Sequence, residues 1–376
     1  MGTLHSSRLV GAAAVISAGA LMLAGVPAAE ASIMRTVACH GSGGGVAGLR
    51  AAIKAANAHG GGQITLAKSC TYTFVHGPYE DQAGGNALPI ITSPIMIMGS
   101  QSTLIRQSRE RFRFFEVADG AGLELHHVTL SRGRTAASEE QTDNGGAILS
   151  AGRLVVRHSI LKRNVSANGG AIQADGGNVR ITKSTLVRNH GSDAPGATAG
   201  AIAVDGARVT LRRVTLARND ATAKGGAIAV FAGAVRISDS TLTRNSVSIN
   251  GEGGAIFNFG TLTIDRSTLS DNVADGFGGN GGAIANYDQG QLTVTKSDIT
   301  GNSAGFKGGV SRAFGGGIAN FGTAKLAKVE ITKNRALGRK AKGGGIAVRS
   351  GELSIVKSTV KGNSPNNCSG EIQGRC

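Results

Sequence analysis

Along most of this chain, apolar and polar residues alternate in short runs separated by Gly or Asn. In residues 281–302, GGAIANYDQGQLTVTKSDITGN, Leu292 and Val294 alternate with Thr. Ser297 and Ile299 then alternate with polar residues. Strict alternation over so few residues predicts strands with one face buried and one exposed. The unit recurs. A tetrapeptide [GA]-G-[AG]-I begins at Gly145, Gly169, Ala199, Gly225, Gly253, Gly281, Gly315 and Gly343, and its isoleucines are spaced 24 to 34 residues apart. A second column holds Asn164, Asn189, Asn219, Asn245, Asn272, Asn302, Asn334 and Asn363. Each unit is thus expected to hold three short strands, at GGAI, at L-x-V and at S-x-I.

Three such strands cannot bury their inner faces alone. Stacking successive units at the ~4.8 Å strand spacing pairs every backbone with the coil above and below, and like residues fall into columns. The predicted fold is all-β: a single-stranded right-handed parallel β-helix of about ten coils, with the hand taken from the crossover rule for parallel strands. Doubled Gly suits a tight corner. Asn tolerates the left-handed conformation and can hydrogen-bond the next coil, so the Asn column is read as structural. The inward serines Ser159, Ser184, Ser240, Ser267, Ser297 and Ser358 are read the same way. Before Gly145 the pattern degenerates, but Ile64-Thr65-Leu66, Ile95-Met96-Ile97 and Leu123-Glu124-Leu125 look like strands of earlier coils. Upstream, Leu49, Ile53 and Ala56 share one face of a short helix that Gly60 stops. That helix would plug the end of the core.

The chain has 376 residues, 59 of them Gly and 6 Pro, with no Trp. That combination excludes collagen and fits a chain that turns often around a thin aliphatic core. Met1 to Ala31 reads as a secretory signal: Arg8 is followed by an apolar run, and Ala29-Glu30-Ala31 fits the small-x-small cleavage rule. Ser32 would begin the mature chain, and nothing later is apolar enough to span a bilayer. The expected organisation is a signal at 1–31 and one β-helix domain at 32–376. Within it lie a cap near 39–60, degenerate coils near 61–144, repeat coils near 145–364 and a closing segment at 365–376. Export permits disulfides. Sequence proximity pairs Cys39 with Cys70 and Cys368 with Cys376, one staple near each end of the stack. No CxxC or close His pair accompanies them, so no zinc site is expected.

GGAI followed by a strand and Asn resembles the polymorphic outer-membrane protein repeat, GGAI with F-x-x-N, here with Leu161-Lys162-Arg163-Asn164. The stretch LRAAIKAAN…GGGQITLAKSCTYTF, from Leu49 to Phe74, is similar to the opening of many secreted pectin-lyase-like bacterial repeat proteins. The resemblance covers most of residues 39–376. It implies a pectin-lyase-like solenoid and surface display or adhesion. Many of those proteins are anchored by a C-terminal outer-membrane barrel, of which residues up to Cys376 carry no sign.

That architecture also houses lyases and hydrolases of acidic polysaccharides, so the chemistry must come from the site. A hydrolase would need clustered Asp, and neither an Asp-Asp pair nor Asn-Thr-Asp occurs; Thr142-Asp143 and Arg180-Ile181-Thr182-Lys183 do not form the set. A calcium-dependent lyase would need carboxylates on neighbouring coils. Glu139, Glu140 and Asp143 share a loop that could hold a cation, and Asp239, Asp265 and Asp271 approach one another across two coils, each beside basic residues. No catalytic residue, metal or cofactor is assigned.

Charge changes this picture. The net charge is +16, which favours anionic partners. The residue before each Asn is Arg163, Arg188, Arg218 and Arg244, preceded by Arg132 and Arg106 and followed by Asp271, Gly301, Lys333 and Gly362. The residue before each inward Ser or Val gives a second series: His127, His158, Lys183, Arg213, Asp239, Arg266, Lys296, Lys328 and Lys357. Stacking would turn these into two basic ridges flanking outward threonines. The expected function is non-catalytic binding of an acidic polysaccharide or anionic wall polymer along this face by a secreted monomer. The expected ligand-binding residues are Arg132, Arg163, Arg188, Arg218, Arg244, Lys183, Arg213, Arg266 and Lys296. A polysaccharide lyase or hydrolase, and a cell-surface adhesin, are the alternatives. Nucleic acid is not expected, because the ridges carry no aromatic stacking platform.

Overall fold

In a computed structural model, residues 32–77, 79, 85–135, 144–192, 196–276, 278–306, 312–374 and 376 are described. Residues 1–31, read above as a secretory signal, and the acidic loop residues Glu139, Glu140 and Asp143 lie outside them. The chain forms a right-handed parallel β-solenoid of about 11 turns with one short helix.

One repeat coil shows the plan. Strand Arg153–Arg157 is followed by Ile160–Lys162, then by the two-residue strand Val165–Ser166. A loop and the glycine corner lead to Ile172–Asp175, and the next coil begins at Asn178. The two-residue strand was not legible as alternation, because it is too short to show a period. Its equivalents build a 7-stranded ladder beside a 10-stranded ladder of Ile strands and a 21-stranded sheet formed by the other two. Among the described residues the strands pair in parallel, and the columns align as the spacing predicts: Ile148, Ile172, Ile202, Ile228, Ile256, Ile284, Ile318 and Ile346 stack in register. All are fully buried in one continuous core.

The corners explain the polar columns. Residues before each Asn turn through the left-handed region, as at Arg163 (φ 55°), Arg188 (φ 54°) and Arg218 (φ 53°). The Asn that follows is buried and heals the break in the ladder. Asn189 Nδ2 donates to the Leu161 carbonyl (3.0 Å) and to Asn219 Oδ1 (3.0 Å), and the Asn189 amide donates to the same Oδ1 (3.0 Å). The serine column does likewise after the other left-handed corner. Ser184 Oγ accepts from the Ser159 amide (3.1 Å) and donates to the Thr182 carbonyl (2.8 Å). A further Asn ladder escaped the sequence reading: Asn258 donates to Asn286 and Asn286 to Asn320, each at 2.7 Å, where the Ile strand ends. It spans only three coils, too few to stand out. At the doubled glycines, Gly225 takes φ 62°, while a Cβ on Gly226 would lie 2.2 Å from the Gly254 carbonyl oxygen of the next coil.

Helix Gly45–Ala58 buries Leu49, Ile53 and Ala56 against the end of the core, as their spacing predicts. The degenerate coils are real: Gly62–Leu66, Pro94–Arg106 and Gly122–Ser131 continue the large sheet. Disulfides join Cys39 to Cys70 and Cys368 to Cys376, with Cα separations of 5.5 and 6.1 Å. At the far end, Asn367 Oδ1 accepts from the Asn363 amide (3.1 Å) and so terminates the Asn ladder. No helix among the described residues is long and apolar enough to cross a membrane.

Candidate anion-binding face

Both basic columns occupy left-handed corners. His127, His158, Lys183, Arg213, Arg266, Lys296, Lys328 and Lys357 have φ between 46° and 58°. Arg132, Arg163, Arg188, Arg218 and Arg244 lie between 53° and 64°. A non-glycine residue there costs roughly 1–2 kcal/mol, yet Gly appears in the second column only at Gly301 and Gly362. The reward is position: every one of these side chains is solvent-exposed, with the threonines of the intervening strand between them.

The structure separates the expected ligand-binding residues into two groups. Arg132, Arg163, Arg188, Arg218 and Arg244 form one uninterrupted ridge, about 19 Å long at the ~4.8 Å coil spacing. Among the described residues, no carboxylate lies within salt-bridge distance of any of them, nor of Lys183, Arg213 and Lys296. Like charges about 4.8 Å apart in water repel by only about 0.9 kcal/mol, so the row is tolerable without a ligand.

Arg266 is different. Its guanidinium donates to Asp239 (2.8 Å) and to Asp265. Arg212 lies 3.6 Å from the same Asp239. Hydrogen bonding to Arg266 holds the Asp239 carboxyl below the usual carboxylate range. Arg266 is thus a neutralised break in its ridge rather than a free cation, and the Asp239–Asp265 pair is an ion-pair site rather than a metal cradle. Asp271 stays on the other corner column, exposed. Arg106 also leaves the ridge. Its side chain folds back onto the carbonyls of Arg132 (2.7 Å) and Glu110 (2.8 Å) and over the Phe112 ring (5.8 Å).

The sequence reading missed the outward arginines of the Arg153–Arg157 strand and its successors. The registers place Arg153, Asn178, Arg208 and Ala234 in one row. Val155, Arg180, Thr210 and Arg236 form the next, and Arg157, Thr182, Arg212 and Ser238 the third. Arginine therefore alternates between rows from coil to coil and never forms a single column, so alignment by column could not reveal it. Arg153, Val155, Arg157, Asn178, Arg180, Arg208 and Thr210 line a concavity of about 540 Å³. A smaller one of about 200 Å³ adjoins it, lined by Arg157, His158, Thr182, Lys183, Arg212 and Arg213. The two join the strand arginines to the nearer ridge.

Histidines border this ground. The His127 and His158 rings stack 4.8 Å apart and nearly parallel. Desolvation, then the charges of His127, Lys183, His126 and Arg157, push the His158 imidazole below its ordinary value. Nearby, Glu124 accepts from Arg153 (2.6 Å) and contacts His126 (3.3 Å). Partial burial opposes ionisation of Glu124, but these hydrogen bonds win and hold its carboxyl low.

No family model matches the chain, and no curated protein matches it. Among solved structures, the crystal structure of pectate lyase Pel9A is similar over 90% of this chain and 79% of its own, at 15% identity and a TM-score of 0.43.

Proposed function

We propose that this chain is an exported, non-catalytic β-helix repeat protein that holds an acidic polysaccharide or anionic wall polymer along its basic face. One observation carries the reading. On successive coils between Arg132 and Arg244, exposed arginines line one corner, and more arginines line a concavity on the adjoining strands, with few carboxylates to neutralise them. Guanidinium forks match carboxylate, sulfate and phosphate oxygens, and a row at one coil's spacing engages a long polyanion at many points. The nearby carboxylates favour binding over acid–base work. Glu124, Asp239 and Asp265 are each held by arginine, and Glu124 and Asp239 are kept ionised.

The test is retention of the protein on immobilised polyuronate across a salt series, with the soluble polymer monitored in parallel for unsaturated ends. Retention that fades with salt, and that is lost in an Arg163→Ser, Arg188→Ser, Arg218→Ser, Arg244→Ser variant with unchanged circular dichroism, is expected. Unsaturated uronate product would make the protein a lyase instead. Retention indifferent to both salt and the four substitutions would point to an adhesin-like surface and overturn the proposal.

A further inference from the structure

The row registers carry a finer conclusion, which rests on the polyanion reading. Thr210 occupies the centre of a four-point ring. Arg208 and Arg212 stand two residues to either side on its own strand. Arg180 and Arg236 stand directly opposite it on the preceding and following coils. From strand geometry the first pair starts about 6.6 Å away along the strand and the second about 4.8 Å away across it. Thr210, Arg180 and Arg208 all line the larger concavity. Arg212 leans 3.6 Å from Asp239, while no carboxylate partner is recorded for Arg180, Arg208 or Arg236 among the described residues.

We propose that this ring is a subsite for a tetrahedral oxyanion, a sulfate ester or phosphate group borne by the glycan. A carboxylate offers two oxygens whose lone pairs all lie in one plane, so it answers cations approaching within that plane. Cations approaching from four sides, above a hydroxyl that can donate from below, are satisfied only by a group presenting three or more acceptor oxygens in different directions. The ring therefore discriminates between polyanions of equal charge by the shape of the charged group, whereas the corner ridges respond to charge alone.

A set of glycans matched for length and for charge per sugar tests this: one sulfated, one carboxylated and one phosphorylated, titrated at constant ionic strength. The wild-type protein should bind the sulfated or the phosphorylated polymer about tenfold more tightly than the carboxylated one. Which of the two is preferred identifies the source of the oxyanion. Arg180→Gln with Arg208→Gln should abolish that preference while weakening the carboxylated glycan less than about threefold. Arg163→Gln with Arg188→Gln removes the same charge and should weaken all three polymers alike. Equal wild-type affinity for carboxylated and sulfated glycans, or a preference that survives the first double variant, overturns the subsite and leaves the basic-face reading standing. Failure of every polymer to bind overturns both. Tighter capture of single-stranded nucleic acid than of any glycan assigns the ring to a different ligand class and overturns it too.

Discussion

Asn219 sits mid-ladder, and its replacement by Ala tests whether the stack is held together at this corner. Its Oδ1 accepts from the amide and the side-chain Nδ2 of Asn189, each at 3.0 Å. Its own Nδ2 donates to the Leu186 carbonyl and to Asn245 Oδ1, also at 3.0 Å. All of this is inaccessible to water. Truncation strands the buried Asn189 amide, at about 1–3 kcal/mol, and removes the further bonds to Asn189 Nδ2, the Leu186 carbonyl and Asn245 Oδ1, so Asn219→Ala should cost about 2 kcal/mol or more. Asn363→Ala, in the half-buried last repeat where water can substitute, should cost about 1 kcal/mol or less. Asn219→Asp sharpens the case. It keeps the acceptor but sets a second oxygen against the Leu186 carbonyl and Asn245 Oδ1. Burial and those dipoles would raise its folded pKa, so the extra penalty is absent below the ordinary carboxylate pKa of about 3.9 and grows as pH rises through neutrality. Equilibrium urea unfolding followed by far-ultraviolet circular dichroism at acidic and neutral pH reads all three variants. Equal costs for Asn219→Ala and Asn363→Ala, or an Asn219→Asp protein more stable than Asn219→Ala at neutral pH, would refute the ladder as an energetic element.

The remaining predictions concern the histidine border and the staples. Because the His158 imidazole is held low by partial desolvation and its cationic neighbours, a bound polyanion should draw a proton onto it. Affinity for a sulfated polymer, which does not itself titrate there, should therefore strengthen as pH falls below the ordinary imidazole range, and His158→Gln should flatten that profile. Affinity that weakens on acidification would contradict the placement of the ligand beside His158. The Cys39–Cys70 bridge closes 31 residues and the Cys368–Cys376 bridge closes 8. On chain entropy these contribute about 3.7 and 2.5 kcal/mol, so Cys39→Ser with Cys70→Ser should lower the thermal midpoint more than the C-terminal pair does. The reverse order in a melting experiment would show that the C-terminal segment has the larger share in closing the stack.

What the sequence revealed and concealed follows from how a solenoid repeats. A feature that recurs at one fixed place in every unit reads as a column, which is why the buried isoleucines, the Asn ladder and the corner arginines were legible. The helix that covers the end was legible from its own period. Features that depend on register between coils were not. Arg180 and Arg208 lie in different rows of adjacent strands, and only the pairing of Asn178 with Arg208 brings them to one hollow. Arg266 reads as one more ridge cation until the coil beneath supplies Asp239. Arg106 matches its column in sequence but precedes the first left-handed corner of that series, so its side chain turns back onto the main chain.

The Asn ladder ends within a few residues of its last member, with Asn367 standing where the next repeat's asparagine would be. The terminus therefore closes with the same bond that joins any two coils, and it asks nothing of how many precede it. Whole units could be added or removed from the middle without redesigning either end. The length of polymer such a protein grips would then be a counted quantity, changing in steps of one coil, about 4.8 Å each, like a ruler whose graduations are copies of a single sentence of sequence.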